Sequence, residues 1–328
     1  MAFVNRVKLR EFRGVRECER PLELRKFTVL VGRNNSGKSS VLEALSLLPD
    51  PDLNAPLLGE RRLSMLAGLL GGRSSIVYGY HGTARLEFEL RGATISFKID
   101  SSGNILSREL GGLKYEPNEF RLRVKELFGL KDSGELEALA AFIPDDSRFL
   151  RSLGGMIVRE DVWPLVEKAG ANVSVVRDLV DRVVRDDYEY AFVGWGDLRL
   201  SKRLSDGRVL SIKAADVGDG VKRVLIAALM LEAVRPRLVL WDDIEAAAHP
   251  GLIEGLIEWL GSRDWQVVAS THSLDVIRAL VDVRPPDCSI LTLNKDEGDV
   301  LGYRELGPDE VEDMLDRGLD VRKLLELL

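Results

Sequence analysis

Phe27-Thr28-Val29-Leu30-Val31-Gly32-Arg33-Asn34-Asn35-Ser36-Gly37-Lys38-Ser39-Ser40 is the stretch from which the architecture of this 328-residue chain can be read. Phe27 to Val31, a compact and largely apolar run rich in β-branched side chains, reads as a buried strand that stops at a glycine- and asparagine-rich loop. Beyond the loop, Val41, Leu42, Ala44, Leu45 and Leu48 recur at helical spacing until Pro49 ends the run. Gly32 to Ser39 matches the pattern G-x-x-x-x-G-K-[ST], placed between a strand and a helix start, where its mechanism requires it. The glycines let backbone N–H groups of the loop (Gly32, Arg33, Asn34, Asn35, Ser36, Gly37) curl around phosphate oxygens, and the first helical turn, with Ser39 and Ser40, adds its partial positive charge. Lys38 is expected to reach the outer phosphates and the Ser39 hydroxyl to ligate Mg²⁺. Asn35 tolerates a left-handed conformation inside the loop.

A second strand, Leu238 to Trp241, ends in Asp242-Asp243. A parallel strand delivers such residues to the carboxyl edge of its sheet, beside the phosphate loop. Asp242 is the expected Mg²⁺ partner and Asp243 the candidate that orients or deprotonates an attacking water. Adjacent aspartates at a strand end also serve as a helix N-cap and a turn residue, and Glu245 reads equally well as a first-turn helix charge. His272 follows the strand Val267 to Ser270, at another carboxyl end, within reach of a terminal phosphate. Gly218-Asp219-Gly220 opens the apolar helix Val221 to Val234, which makes a second anion-seeking helix end in the same chain. A single nucleotide usually occupies one such end, so the second is expected to face a neighbour's nucleotide.

Around these landmarks the chain alternates. Phe3 to Leu9 reads as a strand, and Arg85 to Leu90 with Ala93 to Asp100 as a hairpin. From 116 to 186 the pattern is helical: Phe120 to Phe128, Leu136 to Phe142, Val162 to Ala169 and Val173 to Arg185. Strands return at Tyr188 to Val193, Leu198 to Leu204 and Arg208 to Ile212, the last two joined by Ser205-Asp206-Gly207. The remainder alternates helix and strand to Leu293, which implies a mostly parallel sheet covered by helices. Asp296-Glu297-Gly298-Asp299 reads as a charged hairpin turn. The expected division is 1–115, 116–186 as a helical insertion, and 187–328.

With 45% hydrophobic and 30% charged residues the chain is globular. Cys18 and Cys288 stand far apart without ligand spacing, which points to neither a disulfide framework nor a zinc site. A formal net charge of -7 argues against a surface that is polyanion-binding throughout, although Arg6, Arg10, Arg13, Arg16, Arg20, Arg25 and Arg33 enrich the N-terminal part and leave direct DNA contact open. No apolar run reaches the length of a membrane span, and the chain is expected to stay in the cytoplasm.

The order of landmarks resembles the ABC-type ATPase heads of the SMC, RecF and OLD families. Val7 to Gly14 is similar to their opening strand, Gly32 to Ser39 to their Walker A loop, and Asp216 to Arg223 to their signature segment. Trp241 to Pro250 is similar to their Walker B with its downstream His249-Pro250, and Ser270 to Ser273 to their switch histidine. The resemblance implies an α/β fold of the P-loop NTPase type with an added antiparallel β lobe. It also implies ATP and Mg²⁺ as ligands, and an ATP-dependent homodimer in which the signature of one protomer closes over nucleotide held by the other. A DNA-repair or defence-related partner, such as a separate nuclease or effector protein, follows from the same resemblance. In this chain Gly218 replaces the signature serine and Asp243 the catalytic glutamate. Gln266, the single glutamine, does not match the family's Q-loop. These departures leave two readings: an ATPase, or an ATP-gated binding module that barely turns over.

Overall fold

The computed structural model describes residues 2–246 and 248–322. Residue 247, inside the Trp241 to Pro250 segment, and residues 323–328, at the end of the 187–328 portion, lie outside the described residues. Five parallel strands form one end of a thirteen-stranded sheet, in the order Ala140–Ile143, Leu238–Trp241, Gln266–Thr271, Phe27–Val31 and Cys288–Lys295. Their sequences are near-continuous apolar runs because helices cover both faces and no residue can turn to water. Every residue of Phe27–Val31, Leu238–Trp241 and Gln266–Thr271 is buried.

Beyond Cys288–Lys295 the sheet continues through Val300–Leu306, Val15–Cys18 and Val4–Phe12 into an antiparallel wing of Thr83–Leu90, Ala93–Asp100, Ile105–Leu110 and Leu113–Lys114. Here burial alternates along Thr83–Leu90, as expected for a sheet packed on one face. Phe97 stands between Phe88 and Phe120, with ring centroids 6.1 and 5.8 Å away, so the helix Pro117–Phe128 is seated on the wing by aromatic packing. A separate antiparallel sheet of Tyr188–Gly194, Asp197–Arg203 and Val209–Lys213 leads into the helix Asp219–Val234.

The segment 116–186 is mostly helical as expected, with one correction. The helix foreseen over Leu136 to Phe142 is a short helix, Ser133–Glu137, followed by the strand Ala140–Ile143, which pairs in parallel with Leu238–Trp241. A four-residue apolar strand between helices has no period of its own; the exposed edge of its neighbour decides its form. Fully buried Arg62 holds the junction, donating to the carbonyls of Ser46, Glu137 and Ala140. Two elements not foreseen close the C-terminal part, the strand Val300–Leu306 and the helix Pro308–Asp316. Asp296 makes the hairpin turn expected before them, its Oδ1 accepting from the backbone N–H groups of Gly298 and Val300. Gln266 is a buried clamp whose Oε1 accepts from the N–H of Phe3 and Val4 and whose Nε2 donates to the carbonyls of Val4 and Arg25.

Candidate functional site: the carboxyl edge of the parallel sheet

Because these strands are parallel and in register, their carboxyl ends deliver loops to one edge: Asp145 after Ile143, Asp242 after Trp241, His272 after Thr271 and Gly32 after Val31. The phosphate loop is tightly determined. A Cβ on Gly32 would lie 2.5 Å from the Leu293 carbonyl oxygen and 2.7 Å from Ser36 Oγ, and one on Gly37 would meet the Leu301 side chain at 3.1 Å. Asn35 adopts the left-handed conformation expected of it, with φ 64°. Lys38 is buried inside the loop, donating to the carbonyls of Gly32 and Arg33 at 2.9 Å each. Burial pulls its ammonium below the usual range, opposed by the charges of Asp243, Asp242 and Glu245. Among the described residues the buried Ser36 hydroxyl has no hydrogen-bond partner.

Asp242 joins three segments distant in sequence. Its Oδ1 accepts from Ser39 Oγ at 3.3 Å and from Ser270 Oγ at 2.5 Å. Burial raises its carboxyl above the usual range, the Ser270 hydrogen bond working against that and the charge of Asp243 adding to it. A buried carboxylate beside a hydroxyl is a hard oxygen pair of the kind that suits Mg²⁺, so these residues fit the ion that the loop pattern implies. Asp243 follows with a left-handed φ of 44°, and its N–H donates to Ser270 Oγ at 2.9 Å. That turn aims Asp243 at His272, whose Nδ1 lies 3.1 Å from Asp243 Oδ1.

Glu245, left open by sequence, belongs to this cluster. Its Oε1 accepts from the backbone N–H of His272 at 3.0 Å and lies 3.2 Å from the ring Nδ1, while Oε2 is buried and unpartnered. Donor atoms of Asp243, Glu245 and His272 fall within 4.8 Å of one another, a spacing that hydrogen bonding through the ring nitrogen explains. Carboxylates accept and do not donate, so the Nδ1 proton sits between them and Nε2 is left for a ligand.

Gly218, Asp219 and Gly220 stand apart. Gly218 caps the helix Asp219–Val234 with φ 88° and no side-chain cap, and a Cβ there would meet nothing within 4 Å. Among the described residues none of the three bonds to the phosphate loop. The connection to the site runs one turn further along, through buried Arg223, which donates to the Asp242 carbonyl at 3.0 Å and to Asp145 at 2.6 Å. Sequence reasoning also passed over the far wall of the phosphate-loop cavity, a space of about 440 Å³ that reaches Arg13, Ser75, Val77, Tyr78 and Tyr80. The early arginines are largely engaged within the chain: Arg6 with Glu23 and Glu89, Arg13 with Glu43, and Arg25 with Glu305. No helix among the described residues is long and apolar enough to cross a membrane.

A parallel sheet carrying a phosphate loop, an acidic strand end and a histidine strand end at one edge, extended by an antiparallel wing, has the fold of an ABC-type P-loop ATPase head of the SMC kind. The family model described as "AAA domain, putative AbiEii toxin, Type IV TA system" matches residues 27–278, and the chain belongs to that family. The fold is similar to that of an Smc head domain with an extended coiled coil from Pyrococcus furiosus, bound to the C-terminal domain of ScpA: 13% identity, TM-score 0.59, covering 97% of this chain and 99% of that one. An SmcHead bound to the C-winged helix domain of ScpA gives 13% identity and a TM-score of 0.60, with 93% and 98% covered. The SMC head domain from Thermotoga maritima gives 16% and 0.50, with 94% and 100% covered. None of the curated proteins matches the chain.

Proposed function

We propose that this head binds ATP with Mg²⁺ at the phosphate loop, pairs head-to-tail with a second copy across the nucleotide, and hydrolyses it to release the pair. The cycle would drive a DNA-repair or defence-related partner, with DNA and a separate nuclease or effector protein as the partner classes. One observation carries the reading: a single carboxylate oxygen, Asp242 Oδ1, accepts from both Ser39 in the phosphate-loop helix and Ser270 at the next strand's end. Loop, acidic strand and histidine strand thereby converge on one point.

In this reading Lys38 and the N–H groups of residues 32–40 hold the outer phosphates. Ser39 and Asp242 would hold Mg²⁺, which when bound neutralises charge on the phosphate oxygens. Asp243 orients a water and accepts its proton as the water oxygen attacks the terminal phosphorus and the bond to the bridging oxygen breaks, giving ADP and phosphate. His272, its ring set by Asp243 and Glu245, steadies the terminal phosphate through Nε2. Gly218, Asp219 and Gly220 present amide groups to nucleotide held by the second copy. The solved Pyrococcus head, bound to a domain of another protein, supports partner engagement as the output of such heads.

A second reading, an ATP-gated module that scarcely turns over, is favoured by the contact between Asp243 Oδ1 and His272 Nδ1 at 3.1 Å, which already engages the short carboxylate. Asp243→Asn separates the two. Loss of a general base lowers single-turnover hydrolysis by about 10²- to 10⁴-fold, and the variant's mass in solution should double with ATP but not with ADP. Unchanged hydrolysis would favour the gated module, and a mass indifferent to ATP would remove the pairing.

A further inference from the structure

A cavity of about 360 Å³ lies between the first turn of the helix Arg62–Leu70 and the hairpin that joins Ala93–Asp100 to Ile105–Leu110. It shares no lining residue with the phosphate-loop cavity. Three arginines reach it from three segments: Arg61 from the start of the helix, Arg73 from the chain that follows the helix, and Arg108 from the antiparallel wing. Among the described residues Asp52 is the one acid that lines it. In a chain of formal net charge -7, such a local excess of cations asks for a cause.

The excess is not cancelled behind the wall. Buried Arg108 donates through Nε to Asp50 at 3.1 Å and through Nη2 to Asp52 at 2.7 Å. Asp50 also accepts from Arg121 at 2.7 Å, and Asp52 lies 3.6 Å from Arg61. Two aspartates thus serve three arginines, and Arg73 has no acidic partner among the described residues. Its stem is held all the same. A Cβ on Gly103 would lie 3.0 Å from Arg73 Cδ, so the side chain runs against the glycine of the hairpin turn. The acid of that turn, Asp100, is committed to the turn itself, accepting from the N–H groups of Ser102 and Asn104 and from Asn104 Nδ2.

We propose that this cavity binds a small molecule bearing more than one phosphate group, gripped by the guanidinium groups of Arg61, Arg73 and Arg108 and by the Ser64 hydroxyl. Guanidinium forks match phosphate oxygens in pairs, and the volume is that of a small-ligand pocket rather than of a single ion. Leu63 and Ile105 are its large apolar side chains and no aromatic ring lines it among the described residues, so the anionic groups are what the site recognises. The cations line a recess with Arg108 buried in it, not an exposed ridge, which favours a small molecule over the backbone of a nucleic acid.

The test is calorimetric titration of the full chain with inorganic pyrophosphate at physiological salt, for Lys38→Ala, which disables the phosphate loop, and for Lys38→Ala combined with Arg73→Gln or with Ser64→Ala. Because the loop is disabled in every arm, the outcome does not depend on the nucleotide reading above. One pyrophosphate should bind Lys38→Ala. Arg73→Gln should weaken it about 10- to 100-fold and Ser64→Ala by a smaller factor, with melting temperatures unchanged, since Arg73 is exposed and has no ion pair to lose. In the chain that keeps Lys38, Arg73→Gln should lower the number of bound pyrophosphates by one, which preserves the test if Lys38→Ala fails to fold. A short DNA duplex should not displace the ligand. Pyrophosphate binding indifferent to Arg73→Gln, or absent once the loop is disabled, overturns the site. Displacement by the duplex that depends on Arg73 assigns these arginines to nucleic acid and overturns the small-molecule reading.

Discussion

Gly32 and Gly218 both precede helices that open on free N–H groups, yet their surroundings are opposite. Gly32 is wedged against the Leu293 carbonyl and the Ser36 side chain, and the Lys38 that follows is buried. Gly218 faces open space, and its neighbour Asp219 is exposed and, among the described residues, paired with Lys222. At the first helix end the fold itself demands glycine. At the second the surrounding space does not; only the backbone conformation, φ 88° and ψ 146°, favours glycine there. The contrast separates a glycine fixed by close packing within the chain from one at an exposed helix end, fixed by its backbone conformation alone.

The largest effect that sharpens this contrast is at Gly32. Gly32→Ala places a methyl 2.5 Å from a backbone oxygen at φ 149°, where neither the strand Cys288–Lys295 nor the loop can yield cheaply. Overpacking of this kind with backbone strain costs about 2–4 kcal/mol. Urea unfolding should show the loss, and ATP binding should disappear. A variant of wild-type stability that still binds ATP would break the contrast at its stronger end.

Gly218→Ala should be milder and of a different kind. With no atom within 4 Å, the added methyl costs only the strain of a backbone region (φ 88°, ψ 146°) that side chains rarely adopt, about 1–3 kcal/mol. Binding of ATP to the lone chain should persist, while ATP-driven pairing, read by light scattering in the Asp243→Asn background, should fail. Intact pairing would show that this helix end is not where the second copy docks.

The same contrast explains what was legible in the sequence. Gly32 to Ser40 could be read because its requirements are local: a strand before, a helix after, and glycines where backbone must approach phosphate. Asp242 and Asp243 were legible because an apolar strand ending in acid has one destination in a parallel sheet. Ala140–Ile143 was misread as helix because only the edge of Leu238–Trp241 makes it a strand. Glu245 stayed ambiguous because its partner, His272, arrives from a different strand, and Tyr78 and Tyr80 gave no signal because a turn distant in sequence folds them onto the loop. Gln266, conspicuous as the sole glutamine, proved to be a buried clamp for the N-terminal strand.

The smallest effect concerns the charge hidden behind the phosphate loop. Glu43 is buried in the helix that the loop opens, and burial raises its carboxyl above the ordinary 4.5, although Arg13 at 2.6 Å works in the other direction. The folded chain thus holds this proton more tightly than the unfolded chain does. The stability it contributes is full below about pH 4.5 and is lost as pH rises through the elevated folded value. Glu43→Gln keeps the shape and an acceptor for Arg13 but cannot ionise. The difference in melting temperature, variant minus wild type, should therefore grow from pH 5 toward neutrality and then level off. If the difference shrinks with rising pH, the Arg13 pair outweighs burial, and the helix behind the loop is held by that ion pair in spite of its desolvation.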